Sequence, residues 1–323
     1  MDLSNTLLNN TLGCTFIGVL FAVMFYGFGC AQTQYYFRHY PEDRIYLKAF
    51  VGFLWVLDTV RTILDVEYLW FYVIEHHGDP NGLSDFPSAF LAEFFLAALT
   101  IVVVQLYFIQ TIWDFMKGKW YRLPVSFTMT ALALLSFAGG TASVWEFTKD
   151  TEVALVLKNA TVTASIQTVT AFVADIYIAI SLSSILNGKR TGFSRTDNLI
   201  TKLVAYAIHR GIFTALMQLL HFATFIGTLK DGPTKLIWSL FHFPGSKIYV
   251  NSLLALLNVR QHLRENKETR RNSGGIQLQE IFAQRSGTQT ISRQDASHTR
   301  IVITTEVIHD EEIDMDLRRR EKV

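Results

Sequence analysis

Seven weakly charged, largely apolar stretches, each 25–30 residues long, run through the first 260 residues: 12–36, 46–74, 86–113, 121–147, 160–187, 199–228 and 234–260. An α-helix needs roughly 20 apolar residues to cross a hydrocarbon core of about 30 Å, so each stretch is long enough to span a bilayer with some tilt. The connections between them are short, which forces consecutive helices to pack antiparallel. The sequence therefore predicts an all-α, polytopic membrane protein built as a seven-transmembrane helix bundle. Proline is tolerated at Pro87 and Pro124, near helix starts, whereas Pro244, inside the seventh stretch, is expected to kink it.

Composition changes abruptly after Arg260. Of the last 63 residues 22 are charged, against 35 of the first 260, and Phe282 is the only one of 43 aromatics in that last part. Three regions follow: a short extracellular N-terminus at 1–11, the helical domain at 12–260 and a cytoplasmic tail at 261–323. The tail has too little apolar surface to offset about 1–2 kcal/mol of backbone entropy per residue, so it is expected to be disordered. A net charge of +1 gives no basis for a nucleic-acid partner. Cys14 and Cys30 fall on one predicted helix, roughly 24 Å apart at the helical rise, too far to form a disulfide. The first stretch is read as a span rather than a signal peptide, because Met1 to Thr11 carries no Lys or Arg and the apolar run is too long.

Lysine and arginine set the orientation. Loops one, three and five carry ten (Arg38, Arg44, Lys48, Lys117, Lys119, Arg122, Lys189, Arg190, Arg195 and Lys202), and the opposite side carries four (Lys149, Lys158, Lys230 and Lys235). The N-terminus is thus expected outside and the C-terminus inside. Two N-x-S/T sequons, at Asn9 and Asn159, then fall on the outer side as candidate glycosylation sites. The expected location is a multi-pass position in the plasma membrane, with the lipid bilayer as the first partner.

An ionisable side chain at the centre of a span costs about 2.5–3.5 kcal/mol on insertion scales, so each one needs a physical reason. In the second stretch Asp58, Arg61 and Asp65 share one helical face, and Arg61 is placed to pair with both carboxylates. Asp175 is near the middle of the fifth stretch. In the seventh, Lys247, Asn251 and Asn258 form a polar stripe on one face. These seven residues are the candidate intramembrane polar cluster, with Asp175 and Asp58 the expected partners of Lys247. Gln32, Gln105, Gln167, His209 and Arg210 add polar groups on other helices. Structural interhelical pairing is the competing explanation, at about 0.6 kcal/mol per polar contact on average.

No motif for a soluble-type catalytic centre is present: there is no H-E-x-x-H, G-x-S-x-G, P-loop or C-x-x-C. An enzyme is not expected, and no cofactor or metal site is assigned.

A set of local motifs carries a resemblance. These are Tyr26-Gly27 with Gln32-Thr33, Tyr36-Phe37, Tyr40-Pro41 and Asp43, then Phe53-Leu54-Trp55 with Leu57-Asp58-Thr59, and Gly78-Asp79-Pro80. Further along stand Ala174-Asp175, Thr191-Gly192-Phe193 with Arg195-Thr196-Asp197, and Lys247 with Tyr249-Val250-Asn251-Ser252-Leu253-Leu254-Ala255, Leu257-Asn258 and Arg260. Together they resemble an uncharacterised seven-transmembrane family of basidiomycete fungi, described only as a domain of unknown function. The resemblance covers about residues 12–260 and implies the topology, not a chemistry. The chain departs from the pattern at Thr111, where relatives often carry Arg. It departs again at His209-Arg210-Gly211, where relatives tend to have a small polar residue before the glycine.

The functional expectation is a receptor-like sensor. Its interior polar cluster would serve as a small-molecule ligand site or two-state switch, and its loops and tail would meet a cytoplasmic signalling partner. The alternative is a transporter or channel for a small solute, ion or proton, using the same charges along a path. In the tail, Arg270-Arg271-Asn272-Ser273 matches a basophilic kinase pattern. Phosphorylation of Ser273 would add about −1.5 to −2 charges beside a basic cluster otherwise drawn to the inner leaflet.

Overall fold

In the computed structural model the described residues are 9–77, 85–150, 152–188, 194–231 and 235–259. They form eight α-helices: α1 (Cys14–His39), α2 (Ile45–Trp70), α3 (Ser88–Phe115), α4 (Arg122–Phe147), α5 (Val153–Asn159), α6 (Thr161–Asn187), α7 (Ser194–Asp231) and α8 (239–259). Single π-turns extend α1 backwards (Asn9–Gly13) and α2 forwards (Phe71–Glu75). Extended structure among the described residues is confined to an isolated antiparallel bridge between Asp85 and Glu152, which ties the segment before α3 to the one before α5.

Seven of the helices fall on the seven apolar stretches. Among the described residues five stretches of helix are long and apolar enough to cross a membrane: Asn9–His39, Ser88–Phe115, Arg122–Phe147, Thr161–Asn187 and Ala205–Leu229. The surface agrees with that solvent. Large apolar side chains are exposed along the helix exteriors, among them Phe16, Leu20 and Phe28 on α1 and Val162, Val169 and Ile180 on α6. The buried positions instead include charged residues, the reverse of what water selects. The chain is an integral, multi-pass membrane protein. α2 shows the inversion on one element: Phe53, Val56, Val60, Ile63 and Val66 point outward while Asp58, Arg61 and Asp65 are buried.

Around the bundle α1 packs on α2, α2 on α3, α3 on α4 and α6, α4 on α6, and α6 on α7. α8 is the most enclosed helix. Residues 242–244 and 246–250 are all buried. Its contacts reach α1 through Thr15–Ser239, α2 through Asp58–Lys247, α3 through Glu93–His242, α6 through Asp175–Tyr249 and α7 through Gln218–Tyr249. Close approach elsewhere depends on small residues, as in membrane bundles generally. A Cβ on Gly139 of α4 would stand 2.9 Å from the Gln167 backbone nitrogen of α6, and one on Gly211 of α7 would collide with the Ala179 Cβ.

One feature differs from the sequence reading. α5 is a short helix in a segment read as loop; its Val153, Val156 and Leu157 are buried against the end of the bundle, and that packing gives it order. α8 is helical through Pro244, which lies five residues past the helix start and cannot donate to the carbonyl one turn back. The loop at Gly78 to Gly82, the side chains of Lys189, Arg190, Arg195 and Lys202, and the tail with Ser273 lie outside the described residues.

Candidate functional site

The buried charges gather on two opposite sides of α8. On the first side Lys247 is fully buried. Its ammonium donates to Thr62 Oγ1 at 2.6 Å and to the Asp58 carbonyl at 3.0 Å. It also makes ion-pair contacts with Asp58 Oδ1 at 3.1 Å and Asp65 Oδ2 at 3.5 Å. Thr62 donates in turn to the Asp58 carbonyl at 2.8 Å. Two helical turns of α2, from Asp58 to Asp65, therefore present carboxylate, carbonyl and hydroxyl oxygens to a single cation.

Next to this lies Arg61, also fully buried. Its guanidinium donates to Glu93 of α3 and to Ser246 of α8. The expected pairing of Arg61 with Asp58 and Asp65 on its own helix is thus corrected: among the described residues its ion-pair partner is Glu93. Asp58 and Asp65 are occupied by Lys247, while Glu93 has no cation of its own on α3, so the long guanidinium crosses the helix interface. The second Glu93 oxygen meets His242 Nε2 at 2.8 Å. His242 sits among aromatic rings, stacked on Phe94 at 4.9 Å with Trp238 at 5.5 Å and His221 at 5.3 Å.

The second side of α8 carries Tyr249, two residues and about 200° around the helix from Lys247. Its hydroxyl donates to Asp175 of α6 and accepts from Gln218 of α7 at 3.3 Å. Gln105 of α3 donates to the other Asp175 oxygen at 3.1 Å, and Arg210 of α7 pairs with that oxygen at 3.5 Å. The Arg210 guanidinium also lies over the Phe108 ring, 3.8 Å from its centroid. Asp175 was expected to share a cluster with Lys247. It faces the opposite side of α8, and its cation is Arg210.

Asn251 and Asn258 belong to a third set of contacts, between α8 and α1. Gln32 donates to Asn251 Oδ1 at 3.1 Å, Asn251 donates to the Phe25 carbonyl at 2.9 Å, and Asn258 donates to the Gln32 carbonyl at 2.9 Å. Asn9 and Asn159 are both exposed, at the start of the π-turn before α1 and at the end of α5. Among the described residues no group of three or more His, Cys, Asp or Glu is arranged to hold a metal.

Sequence reasoning did not single out Glu93, His242 or Ser246. The signal for Glu93 was present: it is the one ionised residue of α3 before that helix's last turn. His242 offers no such signal, since a lone histidine on an apolar face is ordinarily a core residue.

Two narrow cavities adjoin the first group. One is lined by Phe94, Phe147, Leu157, Phe225 and Trp238, the other by Ile101, Met217, Gln218, His242 and Ser246, and both touch Gln167 and His221. The free space of the second holds about one or two water-sized bodies.

A family of unknown function (DUF6534) matches residues 171–262, which contain most of α6 and all of α7 and α8. Asp175, Arg210, His242, Lys247 and Tyr249 fall inside that match, and Asp58, Arg61 and Glu93 fall outside it. No curated protein and no solved structure matches the chain.

Proposed function

We propose that the protein is a seven-span, receptor-like sensor of the plasma membrane, N-terminus outside and C-terminus inside, with no enzymatic activity. In this reading the charge network around α8 is its two-state element. The observation that carries the reading is the double anchoring of α8. Lys247 and His242 fasten it to α2 and α3 on one side, and Tyr249 fastens it to α6 and α7 on the other. A helix held on opposite sides by buried polar contacts has few intermediate positions: a shift that strains one set strains the other. A stimulus that favours one arrangement moves the whole helix, whose far end leads directly into the tail.

α2 and α8 complete the seven spans in this account. Their buried charges, Asp58, Arg61 and Asp65 on α2 and Lys247 on α8, face the interior. A second reading, a transporter for a proton or small ion, draws on the run of polar groups from His221 through His242, Glu93 and Lys247 to Asn251 and Gln32.

Proteoliposomes with imposed ion and pH gradients separate the two. The sensor reading expects flux equal to that of empty vesicles, together with altered hydrogen exchange in the cytoplasmic loops of Lys247→Met. Gradient-driven flux that Lys247→Met abolishes would replace it with the transporter reading.

A further inference from the structure

The first charge group does not balance. Asp58, Asp65 and Glu93 contribute three carboxyls, and Arg61 and Lys247 contribute two basic groups, all of them buried. The groups facing them add no fixed charge: Tyr26 of α1, 5.6 Å from the Lys247 ammonium, Tyr68 of α2, His221 of α7 and His242 of α8. Fully ionised carboxyls with charged Arg61 and Lys247 and a neutral His242 would leave one uncompensated negative charge in the interior, which is costly.

Two seats exist for the charge that restores balance. One is the Glu93–His242 pair, in contact at 2.8 Å. The other is Asp65, which is fully buried and whose two oxygens receive no hydrogen bond among the described residues. Asp65 meets Lys247 only at 3.5 Å and lies one helical turn from Arg61, the partner of Glu93, so a charge at one seat is felt at the other. A metal cation needs several ligands, and among the described residues no group of three or more His, Cys, Asp or Glu is arranged to hold one. A proton needs only one atom. The cavity lined by His242, His221, Gln218 and Ser246 brings a water-sized space to one seat.

We propose that Asp58, Asp65 and Glu93 with Arg61, Lys247 and His242 form a binding site for one proton, shared between Asp65 and the Glu93–His242 pair, and that the protein senses pH by gaining or losing it. The proposal names a stimulus for the sensor reading and rests on that reading only for the consequence of binding.

The test is infrared difference spectroscopy of the full chain in lipid nanodiscs, between mildly acidic and mildly alkaline buffer. Wild type is expected to lose one protonated carboxyl or imidazolium signal per chain on alkalinisation. Asp65→Asn leaves two carboxyls against two cations, balanced without a proton, and is expected to lose that signal. No signal in wild type, or one of equal size in Asp65→Asn, overturns the proposal. Replacing sodium by choline is expected to change nothing; a sodium-dependent spectrum overturns it in favour of a metal cation. If Asp65→Asn does not fold, the proposal is read from Trp238 emission in wild type, identified by subtracting Trp238→Phe. Quenching on acidification, as His242 gains charge 5.5 Å away, supports it, and pH-independent emission together with an unchanged infrared spectrum overturns it. These readouts involve no signalling, so they fail or succeed separately from the flux and exchange experiments.

Discussion

Glu93 holds two partners with one carboxylate: Arg61 on one oxygen and His242 on the other. Replacing it with Leu leaves a buried guanidinium unpaired, and breaking a buried pair in this way costs about 3–5 kcal/mol. Glu93→Leu is therefore expected to unfold at markedly lower temperature in nanodiscs, and Glu93→Gln, which keeps two hydrogen-bonding atoms in place, to lose less. Equal losses would mean that the hydrogen-bonding atoms contribute nothing beyond the charge that both variants remove. Tyr249→Phe removes the hydroxyl that Asp175 accepts from, a buried bond worth about 1–3 kcal/mol when one partner is left behind. Its expected effect is a smaller drop in the same thermal measurement. At this scale the sequence was half legible. That Asp58, Asp65, Asp175 and Lys247 are buried in the bundle could be read from their depth in apolar stretches. Which acid meets which base could not. Helical periodicity places a residue on a face but does not say which helix faces it, so Arg61 looked intrahelical when its partner was 32 positions away.

Five of the seven long helices were legible because length and apolarity decide them, and the ends of all seven lie within about five residues of the predicted ones. α5 was not, because seven residues carry too little periodicity and its order comes from packing against the bundle end. The central position of α8 was equally hidden: its polar stripe said that one face is interior, whereas contacts surround it on α1, α2, α3, α6 and α7. Helix–helix spacing gives a test at this level. Gly139 lets α4 approach the α6 backbone, and a methyl group there would press on the Gln167 nitrogen at 2.9 Å. Backbone cannot rotate away as a side chain can, so Gly139→Ala should cost about 1–3 kcal/mol, the range for overpacking. An unchanged melting midpoint would show that α4 and α6 separate freely.

For the molecule as a whole, the account joins an inside-out surface to a charged interior. Orientation rests on the ten-to-four distribution of Lys and Arg between the two sides. Protease added to sealed right-side-out vesicles is expected to spare residues 261–323, and cleavage of the tail under those conditions would reverse the orientation. The central claim is that buried ion pairs fix α8 inside the bundle, and a double-variant cycle at Lys247 tests it most directly. Thermal stability is measured in nanodiscs for Lys247→Met, for Asp58→Asn, for Asp175→Asn, and for each acid variant combined with Lys247→Met. Lys247→Met alone should lose about 3–5 kcal/mol, since Asp58 and Asp65 are left without their cation. Adding Asp58→Asn should recover a large part of that loss, and adding Asp175→Asn, whose cation is Arg210, should recover none. Rescue by Asp175→Asn and not by Asp58→Asn, or a Lys247→Met variant as stable as wild type, would contradict the account.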